Sequence, residues 1–484
     1  MFLTETYHKL SKTKKAAIWF LFANFLTKGI GFITVPVFAY FLSTEEYGKF
    51  SVFLTYQSAL LLLATFEMYG GAFTRGILRY KDNLSLFTYS EQLLSVGLTV
   101  VCFLISIPLM PLIISKSQID LCLYLLMYGF FLVFPGYQCW ITLKRFEYDY
   151  KPVVFSVIIY SVLSTLIPLF GVMKFPLSSV RIILMLFVQI AVCLPFFIRN
   201  VHLFELISCR QVVLEHWRYL LSFQTPAVAH GLSYIALSSL DRIMIEEMLG
   251  NSDVGVYSLA STISAVIMVI CVSANQVLKP WRLKRMEEGS YGSIKKCSDK
   301  VLLAFGFVIL LWILIAPDVI RIFFREEYYG SIWSIPPLSV SVFFVFLYSM
   351  YVDVEEYYYK TKYIMYATTI SAVVNVILNY YGIPIFGYVV CSYTTLFSYV
   401  FLAFLHLLWL KKACKEKGLT ADTIFNIKNT CYYSIIIIFV GVLITLTYSY
   451  DLLRLLLIVL ILCISLLNYR KIKSVISSFF KGEI

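Results

Sequence analysis

Long apolar segments recur along the whole of this sequence, and they constrain its fold more than any other feature. There are fourteen of them in 484 residues, and a helix needs about 20 such residues to cross a bilayer. Soluble proteins carry about 25% charged residues, whereas this chain carries 14% and is 60% hydrophobic. The sequence therefore predicts an all-α polytopic membrane protein with little mass outside the bilayer. The predicted segments are 16–42, 49–68, 92–114, 121–143, 152–173, 177–198, 218–240, 255–277, 301–323, 332–352, 363–381, 385–410, 430–449 and 451–468.

Basic residues gather in alternate loops, which indicates how the segments are oriented. With a cytoplasmic N-terminus, the cytoplasmic side holds 31 of the 40 lysines and arginines, the other side holds 8, and the remaining one is Lys28. This asymmetry follows the positive-inside rule. One missed segment would invert every later loop, so the split predicts an even number of spans and two cytoplasmic termini. The opposite-side loops, at most about 15 residues long, leave no room for an external enzyme domain.

Patterns that carry catalysis or metal binding are absent from the sequence. The eleven cysteines form no CxxC pair, and there is no Ser-His-Asp arrangement, phosphate-binding glycine loop or cluster of metal ligands. We therefore expect a protein that is not an enzyme and that has no cofactor and no metal. The net charge of +12 is explained by the loops, so we expect no nucleic-acid partner.

A short internal repeat relates two parts of the chain. The stretch LSTEEYGKFS (Leu42–Ser51) aligns without a gap to LGNSDVGVYS (Leu249–Ser258), at an offset of 207 residues that also relates Arg75 to Arg282. The same distance separates the first apolar segment from the seventh. Two six-helix lobes with the same orientation are therefore predicted, with a central substrate path between them. The predicted divisions are an N-lobe at 1–200, a C-lobe at 201–412 and two additional helices at 413–484.

Two stretches resemble the polysaccharide-unit flippases, which serve O-antigen and capsule synthesis within the multidrug, oligosaccharidyl-lipid and polysaccharide exporter superfamily. One is KGIGFITVPVFAYFLSTEEYGKFSV (Lys28–Val52), with Pro36 near the end of the first helix and an acidic ST-E-YG loop. The other is SLDRIMIEEMLGNSDVGVYSLA (Ser239–Ala260), with a DR-MI element. These motifs cover about 50 residues, while the resemblance in topology covers the whole chain.

The resemblance implies that the protein moves an undecaprenyl-pyrophosphate-linked oligosaccharide from the inner to the outer leaflet of the bacterial cytoplasmic membrane. It also implies membrane lipids, a polysaccharide polymerase and chain-length regulator proteins as partners. Two other functions stay open. A multidrug or toxin antiporter of the same superfamily should line its cavity with carboxylates, because its cargo is cationic. A membrane-embedded polysaccharide polymerase should carry a large external loop with arginines, and this sequence has none.

Lys28 is the main candidate for contact with the substrate. It lies 12 and 14 residues from the two ends of segment 16–42, which otherwise lacks charged residues. At 1.5 Å per residue it is roughly 18–21 Å from either end, too far for its side chain to reach the interface. We expect it either to face a wet cavity and bind the pyrophosphate, or to pair with a carboxylate as a structural lysine. Its helical neighbours form one polar stripe: Asn24, Thr27, Gly31 and Thr34.

The seventh segment is weakly hydrophobic because it carries a polar face. His230, Tyr234 and Asp241 share that face, and Arg242 lies at its edge. The face predicts a cavity lining at which Asp241 and Arg242 contact the sugars. The alternatives are a packing role for His230 and charges that only set the depth of the helix. We expect Asp241 and Arg242 not to pair with each other, since adjacent helical residues point in different directions.

Three further charged residues are candidates near the predicted cytoplasmic side. Arg75 and Arg282 follow the second and eighth segments and are expected to collect the pyrophosphate, or else to act only as topology signals. Glu67 lies near the inner end of the second segment. It is a candidate partner of Lys28 or a group that titrates during ion coupling.

Overall fold

The computed structural model describes residues 11–108, 110, 120–200 and 209–467, and every regular element within them is helical. Three short 3₁₀ turns, Lys81–Asn83, Glu326–Trp333 and Thr447–Ser449, join some of the α-helices. The α-helices are α1 (Lys12–Phe41), α2 (Thr44–Thr65), α3 (Gly71–Arg79), α4 (Leu84–Ser106), α5 (Leu121–Phe146), α6 (Tyr150–Lys174), α7 (Ser178–Arg199), α8 (Arg210–Met248), α9 (Asn251–Glu287), α10 (Tyr291–Phe323), α11 (Ile335–Tyr357), α12 (Thr361–Phe386), α13 (Val389–Glu416), α14 (Ala421–Ile424), α15 (Ile427–Leu446) and α16 (Asp451–Leu467).

The prediction of an all-α polytopic membrane protein is confirmed. Eleven helices of the described residues are long and apolar enough to cross a membrane. The other three predicted segments fall on α2, α8 and α16. The first two carry too many polar residues to qualify by hydropathy, and α16 reaches the edge of the described residues at Leu467. The total of fourteen spans therefore stays a prediction.

Helix boundaries recur at the offset found in the sequence. α1 ends at Phe41 and α8 ends at Met248, which are 207 residues apart, and the starts of α2 and α9 are separated by the same distance. The starts of α4 and α10, at Leu84 and Tyr291, again differ by 207. The starts of the later helices differ by 211 to 214 residues, as between the starts of α5 and α11. The repeat thus extends beyond the matching letters to the positions at which helices begin and end.

The connection from α1 to α2 is fixed by a set of short hydrogen bonds. Ser43 caps α2 by accepting from the backbone N–H of Glu46 at 3.3 Å. The Glu46 carboxylate accepts from the backbone N–H and the hydroxyl of Ser178, at 2.6 and 2.7 Å, and from Lys49 at 2.9 Å. Burial alone would raise the pKa of Glu46, but these donors hold that pKa below its ordinary value. The ends of α1, α2 and α7 are thereby tied together.

The chain falls into two compact units, Met1–Ile235 and Ala236–Ile484, which divide within α8. In the first unit α5 packs against α7, and α1 packs against α6. In the second unit α11 is central and packs against α9, α10 and α13. Nearly every residue of α11 from Ile335 to Leu347 is buried. The predicted lobe boundary at residue 200 precedes α8 and stays a prediction.

Candidate functional site

The polar stripe of α1 is open around Lys28. Lys28 is exposed, and in the part of the chain that the structure describes neither its ammonium nor the Asn24 amide has a hydrogen-bond or ion-pair partner. A Cβ placed on Gly31 would meet no atom within 4 Å. The hydroxyls of Thr27 and Thr34 instead donate to carbonyl oxygens of their own helix, at 3.1 and 2.9 Å. Lys28 is therefore an exposed cation without a partner among the described residues.

The exposed apolar side of α1 begins next to Lys28, because Phe25 is 73% exposed and lies only about 60° around the helix axis from it. Phe22, Ile33 and Tyr40 are 48%, 72% and 65% exposed, and they lie about 120–140° around the helix axis from Lys28. The side chain of Lys28 thus emerges on the polar side of α1, at the border of the apolar side.

The second predicted segment is interrupted next to Glu67. Phe66 and Glu67 have φ angles of 51° and 48°, a left-handed conformation that costs non-glycine residues of order 1–3 kcal/mol. The break is closed locally, as the N–H of Gly70 donates to the Glu67 carbonyl at 2.9 Å. The Glu67 side chain is exposed and has no ion pair among the described residues. The pairing of Glu67 with Lys28 that the sequence allowed is not formed there.

Arg75 and Arg79 lie one turn apart on α3, and aromatic rings hold both. The Arg75 guanidinium lies 4.9 Å from the ring centroid of Phe223. The Arg79 guanidinium lies 5.0 Å from Tyr219 and 5.4 Å from Tyr80. Both arginines are exposed, and no carboxylate among the described residues pairs with either. These contacts orient the two charges without neutralising them.

Asp241 and Arg242 form a local polar cluster near the C-terminal end of α8. Asp241 is buried and accepts hydrogen bonds from the hydroxyl of Tyr257 and from the backbone N–H of Arg242. Arg242 donates to the carbonyl of Ser238 at 3.0 Å and to the hydroxyl of Ser261 at 2.8 Å. Its Nη1 also lies 3.3 Å from Oδ1 of Asp241. The expectation that these neighbours do not pair was wrong, because the guanidinium folds back along the helix.

Arg282, the repeat partner of Arg75, is buried in an ion-pair network. Its Nε and Nη2 donate to Oδ2 of Asp353 at 2.8 and 2.5 Å, and Nη2 also donates to Asn275 at 3.1 Å. Lys279 lies 2.6 Å from Glu356 and 3.6 Å from Asp353. Since Arg282 is only 3% exposed, this arrangement joins α9 to α11 and presents no open cation.

His230 and Tyr234 lie on α8 in the first unit, one turn apart. His230 is half-buried, and Tyr234 is 41% exposed. Near them α8 approaches α2 closely, because a Cβ on Gly231 would come within 2.9 Å of Leu62. Their predicted contact with sugars stays a prediction.

Comparison with known proteins identifies the family. The family described as "Polysaccharide biosynthesis protein" matches residues 13–286, more than half of the 484 residues. The chain belongs to this family. A protein of the Lsg locus of Haemophilus influenzae is 21% identical over 376 residues, which cover 75% of this chain and 90% of that protein.

Solved transporter structures share the fold of this polysaccharide biosynthesis protein. The lipid II flippase MurJ, in an inward closed conformation, matches with a TM-score of 0.62 and 16% identity, over 91% of this chain and 100% of that chain. An inward-facing multidrug resistance MATE transporter of the MOP superfamily matches with a TM-score of 0.65 and 13% identity, over 83% of this chain and 99% of that chain. The fold is thus shared with a transporter of the MOP superfamily, as the predicted resemblance implies.

Sequence reasoning missed the buried carboxylates of this family member. Asp353 directly follows the tenth apolar segment, Glu355 lies two residues further on, and Glu91 directly precedes the third. Glu91 is fully buried and accepts from Ser95 at 3.0 Å and from the Cys139 thiol at 2.8 Å. The sequence signal that could have identified them is an acidic residue at the end of an apolar segment, since a hydrogen-bond or ion-pair partner on another helix can stabilise such a residue in a buried position.

Proposed function

We propose that this protein is a flippase that moves an undecaprenyl-pyrophosphate-linked oligosaccharide from the inner to the outer leaflet of the bacterial cytoplasmic membrane by alternating access. The exported unit serves the synthesis of a surface polysaccharide, O-antigen or capsule. Membership of the family supports the role in polysaccharide biosynthesis. The fold in common with a structure described as a lipid II flippase supports a lipid-linked cargo.

Lys28 is the observation that carries the proposal. A pyrophosphate that crosses the low-dielectric centre of a membrane needs a countercharge, and Lys28 lies midway along a predicted span. It is exposed and has no carboxylate partner in the described residues. Lysine offers a compact charge with three donors, which suits an anion that must bind and then leave. An antiporter of cationic drugs would need a carboxylate at this place, because its cargo brings the positive charge.

Arg75 and Arg79 supply a first binding step in this proposal. They are one helical turn apart, so their Cβ atoms are separated by about 5–6 Å, a spacing that suits two linked phosphates. The rings of Phe223 and Tyr219 hold the guanidiniums in place. The positive-inside rule puts α3 on the cytoplasmic side, where the cargo is made. The pyrophosphate thus meets these arginines first and Lys28 second.

The proposal includes the setting of the protein. It is a multi-pass protein of the inner membrane with both termini in the cytoplasm, as the distribution of basic residues predicts. A polysaccharide polymerase and chain-length regulator proteins then act on the exported unit.

Substitution of Lys28 tests the proposal. In a host that lacks its own flippase, surface polysaccharide should decline in the order wild type, Lys28→Arg, Lys28→Ala, Lys28→Glu. Arginine keeps the charge, alanine removes it, and glutamate repels the anion. Lys81→Ala is the matched control, because Lys81 is another exposed cation of the first unit and lies outside the predicted spans.

The amount of protein in the membrane must be measured with the export. Lys28→Ala should accumulate to nearly the wild-type level, since the lysine that it removes has no described partner. Full export by a normally abundant Lys28→Ala protein would contradict the proposal. Loss of abundance in that variant would instead favour a structural lysine.

A further inference from the structure

A histidine and a glutamate form a fully buried pair between α11 and α13. Nδ1 of His406 lies 3.0 Å from Oε1 and 3.1 Å from Oε2 of Glu355. Both side chains are 0% exposed. Neither residue takes part in the candidate substrate site, although titratable groups that are completely buried in this way are costly to keep.

The second ring nitrogen of His406 is enclosed without a partner. Nε2 is buried and has no hydrogen bond within the described residues. The ring stacks on Tyr348, with centroids 5.4 Å apart and planes at 14°, and it meets the edge of Trp409 at 6.2 Å. These aromatic neighbours exclude water from Nε2 but offer it no acceptor.

The pair is therefore unsatisfied in either protonation state. With a neutral imidazole that donates through Nδ1, the Glu355 carboxylate is a buried negative charge that no cation balances within the pair. With a proton added at Nε2, the pair becomes an ion pair, but the new N–H has no acceptor. A buried donor without an acceptor costs about 1–3 kcal/mol. The two protonation states therefore leave different groups unsatisfied, so each favours a different arrangement of the side chains around the pair.

The two other carboxylates of α11 already have partners. The nearest like charge is Glu356, which is bound to Lys279 of α9 at 2.6 Å. Two residues before Glu355, Asp353 binds Arg282 of α9. The remaining charge pairs of the described residues around α11 and α13 are Lys360 with Glu416 and Lys295 with Asp422, and Lys412 lies over the ring of Tyr363.

We infer that the His406–Glu355 pair is a proton-binding site that couples protonation to the export cycle, an inference that rests on the proposed function. A proton from water joins the lone pair of His406 Nε2 and leaves again from the same atom, so no other reactant is needed. The change alters the contact of α11 with α13. It reaches α9 as well, because Asp353 and Glu355 lie on the same turn of α11.

Trp409 gives a direct measurement of proton binding. A protonated imidazole quenches indole fluorescence more strongly than a neutral one. The fluorescence of the purified full-length protein is recorded from about pH 5 to pH 8, the range in which histidine titrates. Trp409 is one of seven tryptophans, so the wild-type signal minus that of Trp409→Phe isolates it.

The expected result is quenching of Trp409 on acidification and the loss of that quenching in His406→Gln. His216→Gln is the matched control. His216 is also buried, but its Nδ1 lies 2.9 Å from the hydroxyl of Ser90, and the carboxylate of the neighbouring Glu215 makes no hydrogen bond with it among the described residues. The quenching should survive in that variant. A wild-type signal that does not change with pH, or quenching that persists in His406→Gln, would overturn the proton site.

Export tests the coupling separately. In the flippase-deleted host, wild-type export should vary with external pH, and Glu355→Gln and His406→Gln should flatten that dependence. A His406→Gln protein that exports with the wild-type pH profile would overturn the coupling. If the wild type itself exports no glycan, the proposed function fails and the coupling fails with it, while the fluorescence titration still decides whether the pair binds a proton.

Discussion

Arg75 and Arg282 occupy the same place in the repeat, 207 residues apart, yet their surroundings are opposite. Arg75 is exposed and touches the ring of Phe223. Arg282 is 3% exposed and binds Asp353 through two donors. One guanidinium is exposed and has no carboxylate partner among the described residues, and the other joins two helices.

The difference arises on the neighbouring helix. Asp353 is the nineteenth residue of α11, and the nineteenth residue of α5 is Cys139. This position of the first unit therefore holds a thiol and not a carboxylate, and a thiol cannot neutralise an arginine. The repeat has thus kept the helix boundaries while the charges on the helices diverged. Lys28 is another charge that the repeat has not kept, since the residue 207 positions later is the uncharged Ile235.

The largest expected effect is on stability and separates the two arginines. Arg282→Ala should destabilise the protein by about 3–5 kcal/mol, because it leaves the buried Asp353 carboxylate without its partner. Arg75→Ala should change stability by less than about 1 kcal/mol, since its removal exposes no buried charge, but it should reduce export. Reversible unfolding in mixed detergent micelles and surface polysaccharide measure the two quantities.

A paired substitution makes this test sharper. Arg282→Leu combined with Asp353→Leu removes both charges, so it should recover much of the stability that Arg282→Ala loses. If Arg75→Ala proved as destabilising as Arg282→Ala, the contrast between an open and a structural arginine would be wrong.

A smaller effect is expected at the acidic pair Glu46 and Asp253, also 207 residues apart. Glu46→Gln should cost about 1.5–3 kcal/mol, because it weakens the charged hydrogen bonds from Ser178. Asp253→Asn should cost less than about 0.5 kcal/mol, since Asp253 makes no hydrogen bond or ion pair within the described ranges. Unfolding measurements at neutral pH compare the two variants.

The pH dependence of stability provides the control for Glu46. Its pKa is lowered in the folded protein, so its contribution is complete above the ordinary glutamate pKa of about 4.3. The contribution is lost as the pH falls from there through the lower folded pKa. Wild type should therefore lose more stability than Glu46→Gln on acidification. Equal slopes for the two proteins would show that Ser178 does not bind a carboxylate.

The sequence was sufficient to predict the membrane fold because apolar length and loop charge act locally along the chain. Lys28 could be identified as a candidate for the same reason, since a charge in the middle of an apolar segment is visible without knowledge of its neighbours, and its role stays a prediction. The 207-residue offset was also visible, and helix ends at Phe41 and Met248 now lie on it.

Contacts between helices could not be predicted in this way. Arg282 and Asp353 are 71 residues apart, and they meet only because α9 and α11 pack in one particular register. His406 and Glu355 are 51 residues apart, and their meeting depends on the register of α11 against α13. Even the adjacent pair Asp241 and Arg242 was judged wrongly, because rotation of the arginine side chain allows a contact that helical spacing alone does not suggest.

A small effect is also expected at Glu91, a buried carboxyl of the first unit. Its oxygens accept from the hydroxyl of Ser95 and the thiol of Cys139, and no cation pairs with it in the ranges that the structure describes. Glu91→Gln keeps the shape and one acceptor oxygen and leaves no charge unpaired, so it should cost less than about 1 kcal/mol. Glu355→Gln should cost more, because it deprives the buried imidazole of His406 of its carboxylate. The free energies of unfolding of the two variants, measured under the same conditions, show which substitution costs more stability. A larger loss for Glu91→Gln would mean that the first unit, like the second, depends on a buried charge.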